Sequence, residues 1–182
     1  DVVIFNQFEE MGNVLWHYQV TGKAIADAYE SIKTEKTRFA GACFTSGSAG
    51  TMSAGDYLKE QYPHAKLAVG EALQCPTLLE NGFGGHRIEG IGDKHVPWVH
   101  NVKNTDMVID IDDEDSQNLL RLFNTEEGRK YLTEIVGVPE ETASQLSLLG
   151  ISGIANVLCC IKFAKYYELT ENDVVATVGT DS

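Results

Sequence analysis

One stretch limits what this chain can fold into more than any other: Phe39-Ala-Gly-Ala-Cys-Phe-Thr-Ser-Gly-Ser-Ala-Gly-Thr-Met-Ser-Ala-Gly-Asp-Tyr-Leu58. Its small and apolar start reads as a buried strand, its glycine- and serine-rich centre as a tight turn, and its tail as an amphipathic helix beginning near Thr51. Gly47 and Gly50 let successive backbone N–H groups crowd one point. Ser48 and Thr51 add hydroxyl donors, and the first N–H groups of the helix are expected to lack partners. Such a turn is expected to cradle an anion, with phosphate the natural guest. The plainer reading is a strand-to-helix connection and nothing more, so the rest of the chain has to decide.

With 182 residues the chain can bury one substantial core, and a single domain is expected. Its 27 acidic against 14 basic residues give a net charge of -13. That balance argues against a surface that neutralises nucleic-acid phosphates or rests on anionic lipid, so no nucleic acid and no membrane are expected as partners. Cysteines at 43, 75, 159 and 160 fit neither a zinc spacing nor a disulfide framework, which points to reduced thiols and a cytoplasmic location. No stretch reaches the roughly 20 apolar residues of a membrane span. The start at Asp1 carries no leader-like segment, and without an initiator Met it suggests a processed or partial chain.

In chain order, residues 1–8 are expected to be extended and 9–13 a loop. A helix then follows with Thr21 as its N-cap and Ala24, Ile25, Ala28, Tyr29 and Ile32 on one buried face. The helix of the opening stretch is expected to close near Tyr62-Pro63. Residues 66–70 read as a strand, and 71–104 as a long irregular section punctuated by glycine, of the kind that usually carries function. Residues 107–111 form another strand candidate. Asp112 or Asp113 is placed to cap a helix bearing Leu119, Leu120, Leu122 and Phe123, Thr125 to cap one reaching Val136, and Pro139 to open a third. Gly150 begins the strongest helix, with Ile154, Val157, Leu158, Ile161, Ala164 and Tyr167 as its expected inward stripe, and residues 173–178 form a last strand. This alternation predicts an α/β fold of three layers: an open, mainly parallel, twisted sheet with helices on both faces.

Several segments then fall into a known order. His17-Tyr-Gln-Val-Thr-Gly22, Gly47-Ser-Ala-Gly-Thr51, Arg87-Ile-Glu-Gly-Ile-Gly92 with Val96-Pro97, Gly150-Ile-Ser-Gly153, and the strand running to Asp181-Ser182 together resemble the pyridoxal-phosphate enzymes of the tryptophan-synthase-β fold (fold type II). Within that fold the chain is most similar to the cysteine synthase and cystathionine β-synthase group. The second segment is similar to that group's Gly-Thr-Gly-Gly-Thr phosphate loop, with Ala49 where glycine is usual.

The resemblance implies pyridoxal 5'-phosphate as cofactor. Gly47, Ser48, Ala49, Gly50 and Thr51 would hold its phosphate, and Gly90, Ile91 and Gly92 would lie along its ring. Ser182, or Thr180 as the fallback, would meet its pyridine nitrogen. It further implies β-elimination or β-replacement on a small amino acid of the serine or cysteine type, and a homodimer. The family's Schiff-base lysine belongs to an N-terminal part that precedes everything matched here, and none of this chain's lysines sits in that motif. Residues 1–182 therefore correspond to the C-terminal, cofactor-binding part, and this part alone is expected to be inactive or nearly so.

Other readings stay open. A non-catalytic Rossmann-like module for a nucleotide or phosphate ligand would use Glu71 to hold a ribose. A partner subunit completing a split site is a third possibility. His86, His95 and His100, and the acids at 110 and 112–115, match no ordinary ligand spacing, so no metal is expected. Cys159 and Cys160 read as packing residues.

Overall fold

The computed structural model describes residues 2–181. Four strands, β1 Arg38–Thr45, β2 Lys66–Ala72, β3 Met107–Ile111 and β4 Asp173–Ala176, form one sheet in the order β3-β2-β1-β4 with every pairing parallel. Parallel strands need crossover connections, and helices supply them here. Ahead of the sheet lie α1 Met11–Trp16 and α2 Lys23–Ile32, joined by a π-helical stretch, His17–Gly22. Helix α3 Met52–Gln61 links β1 to β2, and the short α4 Thr77–Glu80 lies between β2 and β3. Between β3 and β4 come α5 Asp113–Asn124, α6 Glu126–Lys130 running into a π-helical turn Tyr131–Val136, α7 Glu140–Gln145 and α8 Ile151–Tyr166.

Both faces of the sheet are covered, which is why β1 and β2 are apolar almost throughout. Phe39, Ala42, Phe44, Leu67 and Val69 pack with Tyr29 of α2 and with Met52 and Leu58 of α3. Cys43, Ala68, Ile109 and Ile111 face the other way, against Ala155, Cys159 and Phe163 of α8. A slip of register between Phe39 and Gly41 shifts the inward set of β1 from odd to even positions. Among the described residues no single helix is long and apolar enough to cross a membrane.

The expected strands are all present, as are the Asp112 cap, which accepts from Glu114 N at 2.7 Å, and the Thr125 cap, which accepts from Gly128 N at 3.1 Å. Three expectations are corrected. Residues 2–6 are irregular and pair with no strand. The first helical run begins at Met11 and passes through Thr21, whose hydroxyl meets His17 Nδ1 at 2.9 Å instead of capping a helix. The buried face of α8 is Ser152, Ala155, Asn156, Cys159 and Phe163 together with Ile154, whereas Ile161 is 47% exposed.

Candidate functional site

Where β1 and β4 end, helices from opposite faces of the sheet flank the gap, α3 on one side and α8 on the other. Open α/β sheets bind ligands at such a position. A hollow of about 150 Å³ lies there. One wall is the turn 47–51 after β1, a second is Gly90 and Ile91, and a third is Ser152, Asn156, Val178 and Thr180. Gln7 and His17 close the remaining side.

The turn is built to donate. Among the described residues, none of the backbone N–H groups from Gly47 to Thr51 has a backbone acceptor. The next three N–H groups, those of Met52, Ser53 and Ala54, fold back onto the carbonyls of Ala49, Gly50 and Thr51 at 3.2, 3.2 and 3.0 Å. The free donors therefore belong to the turn itself, as expected of Gly47 to Thr51, whereas the N–H groups opening α3, expected to be free as well, are already paired. Ala49 takes a φ of 62°, the left-handed region that costs a non-glycine residue about 1–2 kcal/mol. It stands where the resembling phosphate loop has glycine, and the backbone keeps the glycine-like conformation. The Asn13 amide donates to Ser48 Oγ at 3.1 Å, leaving the Ser48 proton free to turn toward the hollow.

Gly90 and Gly92 both have φ of 87°, which only glycine adopts readily, and the turn they make rests on Gly47. Of the two, Gly90 lines the hollow with Ile91, while Gly92 stands behind it and donates its N–H to Ser46 O at 2.8 Å. The irregular section 71–104 is thus pinned rather than loose. Glu71 helps: its two carboxylate oxygens accept from Leu78 N and Leu79 N, each at 2.8 Å, and burial pushes its pKa up. Spent on those bonds, Glu71 is not available to a ribose.

Three residues to which the sequence reading gave no role hold the third wall: Ser152 and Asp181, which lie in segments that carry the resemblance, and Asn156, which that reading passed over. Asn156, 1% exposed, accepts from Thr45 N at 2.8 Å and donates to Val178 O at 3.0 Å, joining the ends of β1 and β4. The Asp181 carboxylate accepts from Ser152 N at 3.1 Å, Ser152 Oγ at 2.7 Å and Gly153 N at 3.0 Å, capping α8 from a distant part of the chain. Thr180 Oγ1 lies 2.5 Å from Ser152 Oγ. The signal available in the sequence was Ser152 and Asn156, two polar residues one turn apart on an otherwise apolar helix. His17 borders the hollow with a pKa lowered by burial, which favours its neutral ring. No lysine is among the lining residues. Ser182 lies outside the described residues. Among the described residues no cluster of His, Cys, Asp or Glu could hold a metal.

A four-stranded parallel sheet covered on both faces, with a glycine-turn hollow at its carboxyl ends, is the arrangement of the tryptophan-synthase-β-like fold. The chain is a partial homologue of the fold-type-II pyridoxal-phosphate enzymes of the cysteine synthase and cystathionine β-synthase group. It is 28% identical over 173 residues to a cysteine synthase of Staphylococcus aureus, covering 94% of this chain and 48% of that one. To a probable cysteine synthase of Bacillus subtilis it is 32% identical over 123 residues, 67% of this chain and 39% of that one. Among solved structures, a hydrogen sulfide-producing enzyme from Fusobacterium nucleatum superposes with a TM-score of 0.75 at 26% identity, over 97% of this chain and 46% of that one. An O-acetylserine-dependent cystathionine β-synthase from Helicobacter pylori does so with a TM-score of 0.69 at 25% identity, over 96% and 49%. The chain spans about half the length of these relatives or less. No family model matches it.

Proposed function

We propose that this chain is the cofactor-holding part of a pyridoxal-phosphate enzyme that carries out β-elimination or β-replacement on a small amino acid of the serine or cysteine type. The observation that carries the reading is the run of backbone N–H groups from Gly47 to Thr51, free of backbone acceptors and lining a hollow. No Lys or Arg lines that hollow, so the negative charge of a phosphate would be met by aligned N–H dipoles and the N-terminal end of α3. Ser48 and Thr51 would add hydroxyl donors. Gly90 and Ile91 would flank the ring, and Gly92 would hold their turn in place.

When bound, the cofactor supplies an electron sink for carbanion chemistry, and the protein supplies orientation and electrostatics. Behind the third wall of the hollow, Asp181 is ionised and can only accept, so Ser152 Oγ donates its hydrogen bond to it and in turn accepts from Thr180. Thr180, its proton already committed, can then only accept from a ligand. A hydroxyl that donates to an unprotonated pyridine nitrogen is better sought at Ser182. The anchoring lysine would come from a segment other than those lining the hollow.

Titration with pyridoxal phosphate and, separately, with NAD tests the reading. Pyridoxal phosphate is expected to raise the melting temperature in a saturable way and NAD to leave it unchanged. The opposite order would overturn it.

A further inference from the structure

At the opposite end of the sheet from the hollow, where β1 and β2 begin and α8 ends, lies a second cavity of about 250 Å³. Its position follows from the irregularity in β1. Ala40 is the residue that the slip of register leaves without a partner on β4, and a bulged residue re-aims its side chain. Here that side chain is a single methyl group on the cavity wall, so the bend leaves space instead of filling it. Phe163 of α8 and Tyr167 just after it, with ring centroids 4.7 Å apart, complete an apolar surface with Leu169. Arg38 and Lys66, the first residues of β1 and β2, line the same space.

We propose that this cavity binds a small aromatic monocarboxylate, with the carboxylate held by Arg38 and Lys66 and the ring laid against Ala40, Tyr167 and Leu169. Its volume lies below the roughly 300–1,000 Å³ of pockets that take drug-sized molecules, which keeps the guest small. It combines what such pockets need, an apolar lining and a few polar groups that fix orientation.

Positive charge is in surplus among the ion pairs that border the cavity, although the chain carries -13 overall. Asp106 accepts from Lys66 Nζ at 3.1 Å, but also from Lys59 Nζ at 2.7 Å and Leu67 N at 2.9 Å, so one carboxylate answers two lysines. Asp173 accepts from Arg38 Nε at 2.8 Å, and its other oxygen is taken by Thr170 N at 2.9 Å and Thr170 Oγ1 at 3.0 Å. These pairs hold both cationic side chains in place without using them up. Among the described residues Arg38 Nη1 has no partner, and Lys66 Nζ spends one of its three N–H groups. One uncompensated positive charge suits a monoanion, and a carboxylate matches the fork of the guanidinium. His64 lines the cavity too and adds a ring nitrogen.

The cavity and the hollow share no lining residue, so this site stands whether or not the hollow takes pyridoxal phosphate. Strand β1 runs from one to the other, from Arg38 to Thr45.

Amide NMR titration with 3-phenylpropionate, in the absence and in the presence of excess pyridoxal phosphate, tests the proposal. Saturable shifts are expected at Ala40, Lys66 and Tyr167 in both conditions, and none in the turn 47–51. The neutral 3-phenylpropan-1-ol keeps the ring and acetate keeps the charge; each should bind at least about tenfold more weakly. Lys66→Met should weaken 3-phenylpropionate about tenfold, and Lys66→Arg should bring the affinity back. Asp106 keeps Lys59 and Leu67 N in both variants, so the fold survives the change. No saturable shift at the three residues, shifts in the turn 47–51, loss of binding when pyridoxal phosphate is present, equal affinity for the alcohol or acetate, or an undiminished affinity in Lys66→Met would each overturn the proposal.

Discussion

Asp181 shows how one side chain fixes both local structure and site chemistry. Burial would raise its pKa, but the hydrogen bonds from Ser152, Gly153 and Thr180 outweigh burial, and the carboxyl titrates below its usual range. A depressed folded-state pKa gives stability that is present above the unfolded value of about 3.9 and is lost as pH falls through the folded one. Urea unfolding across pH should therefore show Asp181→Asn trailing the parent protein near neutrality and converging with it in acid; a constant gap would contradict the role. Asp181→Ala removes the cap of α8 and should cost about 0.5–2 kcal/mol at neutral pH. At the turn, Ser48→Ala removes one neutral hydroxyl donor. It should weaken pyridoxal phosphate about 5–10-fold by calorimetry, the equivalent of about 1 kcal/mol. An unchanged affinity would remove Ser48 from the cradle.

At the scale of elements, β1 is the axis on which the site depends, and two contacts hold it. Asn156→Leu would leave the Thr45 N–H and the Val178 C=O without their partner at the wall of the hollow, at a cost of about 1–3 kcal/mol by urea unfolding. Gly41 lies so close to Lys66 O on β2 that a Cβ there would run into the backbone. Gly41→Ala should cost about 3 kcal/mol, the upper end for overpacking, since no flexible side chain can move aside. A neutral result would mean that the two strands are less tightly paired than described.

The same elements show what the sequence could and could not reveal. The strands were legible because burial on both faces leaves uninterrupted apolar runs, and the caps at Asp112 and Thr125 because their chemistry is local. The helix from Met11 was not, since Leu15, Trp16 and Val20 are all substantially exposed and the π-helical stretch breaks the 3.6-residue period. On α8 the aliphatic stripe misled because the helix is apolar nearly all round, and its buried face carries Ser152, Asn156 and Cys159. In the site, the turns at 47–51 and 90–92 were readable as glycine patterns. The clamp formed by Ser152, Asn156 and Asp181 was not, because it exists only where the start of α8 meets the chain beyond β4.

For the molecule as a whole, the hollow proposed to hold a phosphorylated ring has no lysine among its lining residues. This chain by itself should therefore release no measurable sulfide from cysteine in the presence of pyridoxal phosphate, while still binding the cofactor. Turnover from these residues alone would show that one of the lysines reaches the site after all. The most direct measurement is an amide nitrogen–proton NMR titration with pyridoxal phosphate, with pyridoxal as the control that lacks the phosphate. The amides of Gly47, Ser48, Ala49, Gly50 and Thr51 should shift strongly and saturably with the first and only weakly with the second. Equal shifts with both, or none in that turn, would contradict the claim that those backbone donors converge on a phosphoryl group.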